Sequence, residues 1–113
     1  MPYEKRQIIE LPFHGGNHPA VIISVEDVYH REGYYICLMI TTSPARDEFS
    51  FVLSDEDMMK PMAEPSQVRL HLIGCFSDAD VISNANRNTM KIEAFDRMID
   101  YMAEKVFGTE FLE

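Results

Sequence analysis

The 113-residue chain has too few cysteines for a disulfide framework: only Cys37 and Cys75, both in apolar surroundings, where they read as buried free thiols. A paired-cysteine zinc site is excluded on the same count. Long apolar runs are missing too. None approaches the length of about 18 residues needed to span a bilayer. The opening Met1-Pro2-Tyr3-Glu4-Lys5-Arg6 leads into no signal-type hydrophobic region, so a soluble, cytoplasmic protein without membrane contact is the expectation. No GxGxxG or Walker pattern occurs, which removes the phosphate-cradling loops of nucleotide enzymes. Repeats, linkers and low-complexity segments are absent, and residues 1–113 read as a single domain.

Positive charge is scarce and unevenly spread. The net charge is −9, with four basic against five acidic residues in 1–46 and six against fourteen in 47–113. Attraction of nucleic acid by the whole surface needs the opposite sign, so any such contact has to come from a local patch, which the charge balance leads one to expect in the first half. The bland reading of the acids is a solvated surface that keeps the protein soluble.

What is present is ordinary core material: 46% hydrophobic and 26% charged residues. A chain of this size buries roughly 65% of its unfolded surface, enough for one self-standing core. Two apolar runs organise it, Ala20-Val21-Ile22-Ile23-Ser24-Val25 and Tyr34-Tyr35-Ile36-Cys37-Leu38-Met39-Ile40. Their length, composition and short polar connector (residues 26–33, a loop with room for a helical turn) predict neighbouring antiparallel strands. That pairing brings His18, at the start of the first run, beside Thr41-Thr42-Ser43 at the end of the second, on one rim of the sheet.

Around this pair, residues 4–11 read as a first strand, and Pro12-Phe13-His14-Gly15-Gly16-Asn17 as a turn-forming loop. Residues 48–53 alternate like a half-buried strand. Ser54 and Ser77, each followed by acids, look like helix caps, and Met58-Met59 is expected to dip into the core. In the strand of residues 65–74, alternation puts Val68, Leu70 and Leu72 on one face. Gln67, Arg69, His71 and Ile73 fall on the other, with Arg69 and His71 about 7 Å apart along the strand. Residues 82–88 form an Asn-rich loop. From 89 or 90 to 107 the period changes: Phe95, Met98, Ile99, Met102 and Val106 make the stripe of an amphipathic helix, stopped by Gly108. Short strands and one terminal helix predict a mainly β fold with helices, a small barrel or strongly bent sheet of about five to seven strands whose open side the helix covers.

Three blocks, in order and spacing, carry a family resemblance: Asn17-His18-Pro19-Ala20-Val21-Ile22-Ile23-Ser24, Met39-Ile40-Thr41-Thr42-Ser43, and Glu64-Pro65-Ser66-Gln67-Val68-Arg69-Leu70. The chain resembles the MazF/PemK-like toxins, endoribonucleases of bacterial toxin–antitoxin pairs, from about residue 8 to 108. The resemblance implies an SH3-like barrel, a homodimer, single-stranded RNA bound at the dimer surface, and an antitoxin protein as partner. Thr41 stands at the family's catalytic Thr, and Arg69 at an Arg that some members use near the scissile phosphate. His18 stands where the family has a catalytic Arg, His71 where some members have an Asp base, and Met39 where Pro is usual.

The implied chemistry is metal-independent attack by the ribose 2′-OH, and neither cofactor nor metal is expected. It needs a base at that hydroxyl, an acid at the leaving 5′-oxygen and cationic donors on the phosphate. His18, Thr41, Arg69 and His71 are the candidate catalytic residues, with the histidines as acid and base, Arg69 on the charge and Thr41 positioning the phosphate. Thr42, Ser43, Gly15, Gly16 and Asn17 are candidate substrate contacts, the glycines because they let a backbone approach a ligand closely. An arginine is always charged, whereas a free histidine with a pKa of about 6.5 is about a quarter protonated at pH 7. Two readings therefore stand: an endoribonuclease, active, weakened or silenced by the change to His18, and a non-catalytic SH3-like barrel that keeps the dimer and binds a protein partner. His14, His18 and His30 have no zinc-site spacing.

Overall fold

β-Branched and aliphatic residues dominate the segments that become strands, and the hydrogen-bond ladders join five of them into one antiparallel sheet. In the structure, a computed structural model that describes residues 3–13, 15–84 and 87–109, these are β1 (Ile8–Phe13), β2 (Gly16–Ile22), β3 (Tyr35–Thr41), β4 (Ser50–Leu53) and β5 (Ser66–Phe76), in spatial order β1-β2-β3-β5-β4. Helix α1 (Glu26–Glu32) joins β2 to β3, and α2 (Ile92–Phe107) ends the described fold. Single 3-10 turns follow Ser54 and Ser77, where the backbone N–H of each serine donates to the carboxylate three residues on, Asp57 at 3.0 Å and Asp80 at 2.9 Å.

The predicted central pair is present, with Ala20 opposite Met39 and Ile22 opposite Cys37. The connector folds into α1, stopped by Gly33 at φ 78°, a left-handed turn that favours glycine. The stripe of α2 is also as expected: Phe95, Met98 and Met102 are buried, with Ile99 and Val106 packed at its margin. Gly108 closes the helix at φ 67°.

The sheet is sandwiched between two apolar clusters. On one face Val21, Leu38, Ile40, Val68 and Leu70 pack beneath α2. On the other, Leu11, Ala20, Ile22, Cys37 and Met39 pack with Tyr3, Tyr29 and Phe76. Asp78 fastens this second side by accepting hydrogen bonds from the hydroxyls of Tyr29 and, at 2.5 Å, Tyr35. The ladders do not close the sheet into a barrel. Instead residues 88–90 tie the edge strand β1 to the segment that follows β4: Ile8 N–H donates to the Asn88 carbonyl at 3.0 Å, and Met58 bridges Met90. The buried Asn88 amide exchanges hydrogen bonds with the backbone of Lys60, donating at 2.8 Å and accepting at 3.0 Å. Asn88→Ala strands these groups and is expected to cost about 1–3 kcal/mol. A lower urea midpoint at unchanged slope is the readout; an unshifted midpoint would show that the tie holds without the amide.

Several expectations are corrected. The first strand runs from Ile8 to Phe13 rather than over 4–11, and the predicted loop at residues 12–17 is mostly ladder, with Pro12 opposite Asn17 and Phe13 opposite Gly16. Pro12 is tolerated because the amides of Ile8 and Glu10 point away from β2, and the alternation puts its missing N–H on that same outer side. Leu72 does not share a face with Val68 and Leu70 but packs in the second cluster. The cause is a register shift: Leu38 faces Ile73 and Ile40 faces Val68, so five steps of β5 oppose two of β3. The three extra steps, an odd number, exchange the faces. The same shift leaves Cys75 exposed instead of buried, while Cys37 lies in the core, where burial pushes its thiol up to about 12. Met58 is buried as expected, but Met59 is exposed. Among the described residues no helix is long and apolar enough to cross a membrane.

Candidate functional site

β3 ends at Thr41 and the chain then crosses to β4 through residues 42–49, beside the start of β5. This crossing walls a depression of about 260 Å³ lined by Met39, Thr41, Ser43, Ala45, Asp47, Gln67 and Arg69. Thr41 faces Gln67 across the β3–β5 ladder, and Arg69 lies two residues beyond Gln67 on the same side of β5. The Thr41 hydroxyl oxygen accepts the Ser43 N–H at 3.2 Å, which leaves its O–H to donate. Gln67 is fully buried, and its amide holds the crossing by donating to the carbonyls of Ser43, at 3.0 Å, and Ala45.

Arg69 is the electrostatic centre of the depression. Its guanidinium grips the Asp47 carboxylate with two parallel bonds, Nη1 to Oδ1 at 3.0 Å and Nη2 to Oδ2 at 2.9 Å. Nη1 also donates to Ser50 Oγ at 2.8 Å. The Arg69 side chain is 16% exposed and that of Asp47 50%. The Arg69 bond first, and then the Phe49 N–H, hold the Asp47 carboxyl down to about 2. Arg46, next in the chain, donates to the carbonyls of Ser43 at 2.9 Å and Ala45 at 3.4 Å, and forms no ion pair with a carboxylate among the described residues.

Thr41 and Arg69 are therefore brought together, and Ser43 lines the same depression. The other candidates do not line it. His18 is half-buried on the face of β2 that also carries Ala20 and Ile22, the face of Met39 and Thr41. The β2–β3 register, carried two residues beyond its last pair, sets it opposite Thr41. His71 is exposed, its ring centroid 4.8 Å from that of Phe49, and it does not line the depression. Thr42 opens onto a neighbouring hollow with Pro44, Arg46, Glu64 and Pro65. Gly15, at φ 78°, lies in the turn of the β1–β2 hairpin, and Gly16 and Asn17 begin β2 beside it, opposite Phe13 and Pro12. A Cβ on Gly16 would sit 3.6 Å from His18 Nε2, so the hairpin tip and His18 are neighbours. His14 lies outside the described residues.

Sequence reasoning missed Asp47, Ser50, Gln67 and Arg46 as members of this site. Alternation had put Gln67 beside Arg69, the one available signal. Asp47 meets Arg69 across 22 positions, which no local pattern announces.

The acids of the fold share a pH dependence. Asp47 is held low mainly by Arg69, and Asp78 by the Tyr29 and Tyr35 hydroxyls. Burial pushes Asp57 up, but the Ser54 N–H and Arg97 more than offset it and leave this carboxyl lowered as well. A carboxyl depressed in the folded state stabilises at pH above its unfolded value, about 3.9, and loses that contribution as pH falls through the folded value. Thermal stability is thus expected to hold from neutrality down to about pH 4 and to decline from there toward pH 2. Unfolding followed by circular dichroism across that range checks it; a midpoint already falling between pH 7 and pH 5 would point to other groups.

No protein-family model matches the chain, and no curated protein sequence matches it. Solved structures do. An endoribonuclease in complex with its cognate antitoxin from a mycobacterial species superposes with a TM-score of 0.78 at 11% identity, covering 98% of this chain and 100% of that one. MazF of a MazE–MazF complex from Deinococcus radiodurans gives 0.70 at 12% identity, over 97% and 99% of the two chains. The Mycobacterium tuberculosis toxin MazF-mt6 gives 0.70 at 14% identity, over 94% and 100%. The five-stranded sheet with its C-terminal helix has the fold of these MazF toxin structures.

Proposed function

We propose that this chain, acting as one domain over its whole length, is a MazF-like toxin: a metal-independent endoribonuclease of single-stranded RNA that an antitoxin protein neutralises and that acts as a homodimer. The observation that carries the reading is the meeting of Thr41 and Arg69 in one depression of a MazF-type sheet. In the reaction the ribose 2′-OH loses its proton to a base and attacks the adjacent phosphorus. The P–O5′ bond breaks, the 5′-oxygen takes up a proton from an acid, and a 2′,3′-cyclic phosphate and a 5′-hydroxyl result. Arg69 offers a planar fork of N–H donors to the phosphate oxygens, where charge builds in the transition state. The Thr41 O–H adds a neutral donor beside it. His18, on the same face, and His71, on the next stretch of β5, take the proton-transfer roles, with an RNA strand running from the hairpin tip across the depression.

A second reading, the non-catalytic barrel that binds a protein partner, is favoured by one observation: the Arg69 fork is already filled by Asp47. Incubation of the purified protein with a long RNA in EDTA separates the two. Cleavage that leaves cyclic phosphate ends, and that disappears with Thr41→Ala and with His71→Ala, supports the enzyme. Intact RNA from pH 5 to 8, with no retardation of the RNA in a gel, overturns it in favour of the binding module.

A further inference from the structure

The bidentate Arg69–Asp47 contact has the geometry that a phosphate would take. Two carboxylate oxygens accept two parallel N–H bonds of 2.9 and 3.0 Å from the guanidinium, the fork–fork arrangement in which arginine recognises carboxylate and phosphate alike. The surroundings are those of an anion subsite. Ser50 Oγ lies 2.8 Å from Arg69 Nη1, and the Thr41 hydroxyl opens into the same depression.

The two partners are not equally fixed. Arg69 stands on β5 with its side chain mostly buried, whereas Asp47 stands in the crossing between β3 and β4 and is half exposed. The crossing is pinned independently, by Gln67 at Ser43 and Ala45 and by the Asp47 N–H on Ser50 Oγ at 3.1 Å. Its backbone can hold its course while the carboxylate swings out, giving up the Phe49 N–H and Ser50 hydroxyl bonds to Oδ1 along with those of Arg69.

We propose that Asp47 occupies in cis an oxyanion subsite built by Arg69, Ser50 and Thr41, and that a phosphodiester of RNA enters this subsite by displacing the Asp47 carboxylate. This rests on the ribonuclease reading for the identity of the ligand, but the subsite itself does not depend on it. Asp47 then sets the threshold for binding. An isolated phosphate competes poorly with a tethered carboxylate, while a strand with further contacts along the groove displaces it. The subsite also meets the objection raised by the charge balance, since the cation that the acidic chain needs is present but internally neutralised.

Asp47→Asn tests this with little disturbance, because the Asn oxygen can still accept the Phe49 N–H that Asp47 Oδ1 now accepts at 2.9 Å. The control is Glu48→Gln, which removes the same charge from the exposed neighbouring residue. The first readout is the Arg69 Nε–H resonance, identified by its loss in Arg69→Lys, titrated with inorganic phosphate. The second is the affinity for a labelled, non-cleavable 2′-deoxy oligonucleotide. The expected result is saturable movement of the Arg69 resonance at lower phosphate in Asp47→Asn than in the native chain. Oligonucleotide binding should tighten by about tenfold, the worth of one charge-assisted contact. That gain should vanish in the double variant Asp47→Asn/Arg69→Ala and should not appear in Glu48→Gln. An Arg69 resonance in Asp47→Asn that ignores phosphate overturns the proposal, and so does an equal gain from Glu48→Gln. Phosphate binding at Arg69 in Asp47→Asn without oligonucleotide binding or RNA cleavage by either chain upholds the subsite and removes the ribonuclease reading alone.

Discussion

Arg69→Ala is expected to lower the rate of RNA cleavage by about 10²–10³-fold, the usual loss when one preorganised transition-state donor is removed. The size follows from what the side chain supplies. Among the described residues it is the one cation that lines the depression, and on the proposed reaction it presents a rigid pair of donors to the phosphate oxygens as they gain charge. Its removal also leaves Asp47 without its counter-charge, so the same change turns an attractive patch repulsive. Arg69→Lys separates the two effects, because it keeps the charge but loses the fork. Its rate should fall between those of the native chain and Arg69→Ala. Single-turnover cleavage of a labelled RNA in EDTA measures all three. A rate for Arg69→Ala within a few-fold of native would place the phosphate elsewhere, and the Arg46 side of the crossing would be the next surface to probe.

Met98→Ala is expected to cost about 3 kcal/mol, within the range of 2–5 found for burying an alanine in place of a large core residue. Met98 has no exposed surface and sits where α2 lies across Leu38, Ile40, Val68 and Leu70. Helix propensity contributes nothing to the loss, since alanine is the better helix former. What is lost is the contact that holds the helix to the sheet. For a domain of this size the midpoint of thermal unfolding should drop by roughly 10–20 °C. A drop of only a degree or two, with the helical signal intact, would show that the cluster closes over the gap.

Local patterns gave away the parts of the fold that are local. The β2–β3 pair, the Ser54 and Ser77 turns, the stripe of α2 and its stop at Gly108 were all legible, because the pair is two apolar runs on one short connector and each of the others depends on residues within a few positions of one another. The failures share the opposite property. Period-2 alternation along β5 assumes an unbroken ladder, and the register shift beside Leu38 and Ile40 reassigned Leu72 and Cys75. Pro12 argued for a loop until its place on the outer side of an edge strand was known. At the candidate site, motif position singled out Thr41 and Arg69, which the structure sets in one depression, while Asp47 is joined to Arg69 only by the folded chain.

The tie that residues 88–90 make between β1 and the segment after β4 bears on how the chain is made. β1 leaves the ribosome well before its partners, for the carbonyl that accepts from Ile8 belongs to Asn88, and the cover over Val68 and Leu70 belongs to α2. A nascent chain that has emerged only as far as β5 presents an open edge and an uncovered apolar face, the two features that invite association with other chains. Closure of the β1 edge, and with it the cover over Val68 and Leu70, waits until residues 88–107 have been made. A partner present at that moment meets this fold as it first closes.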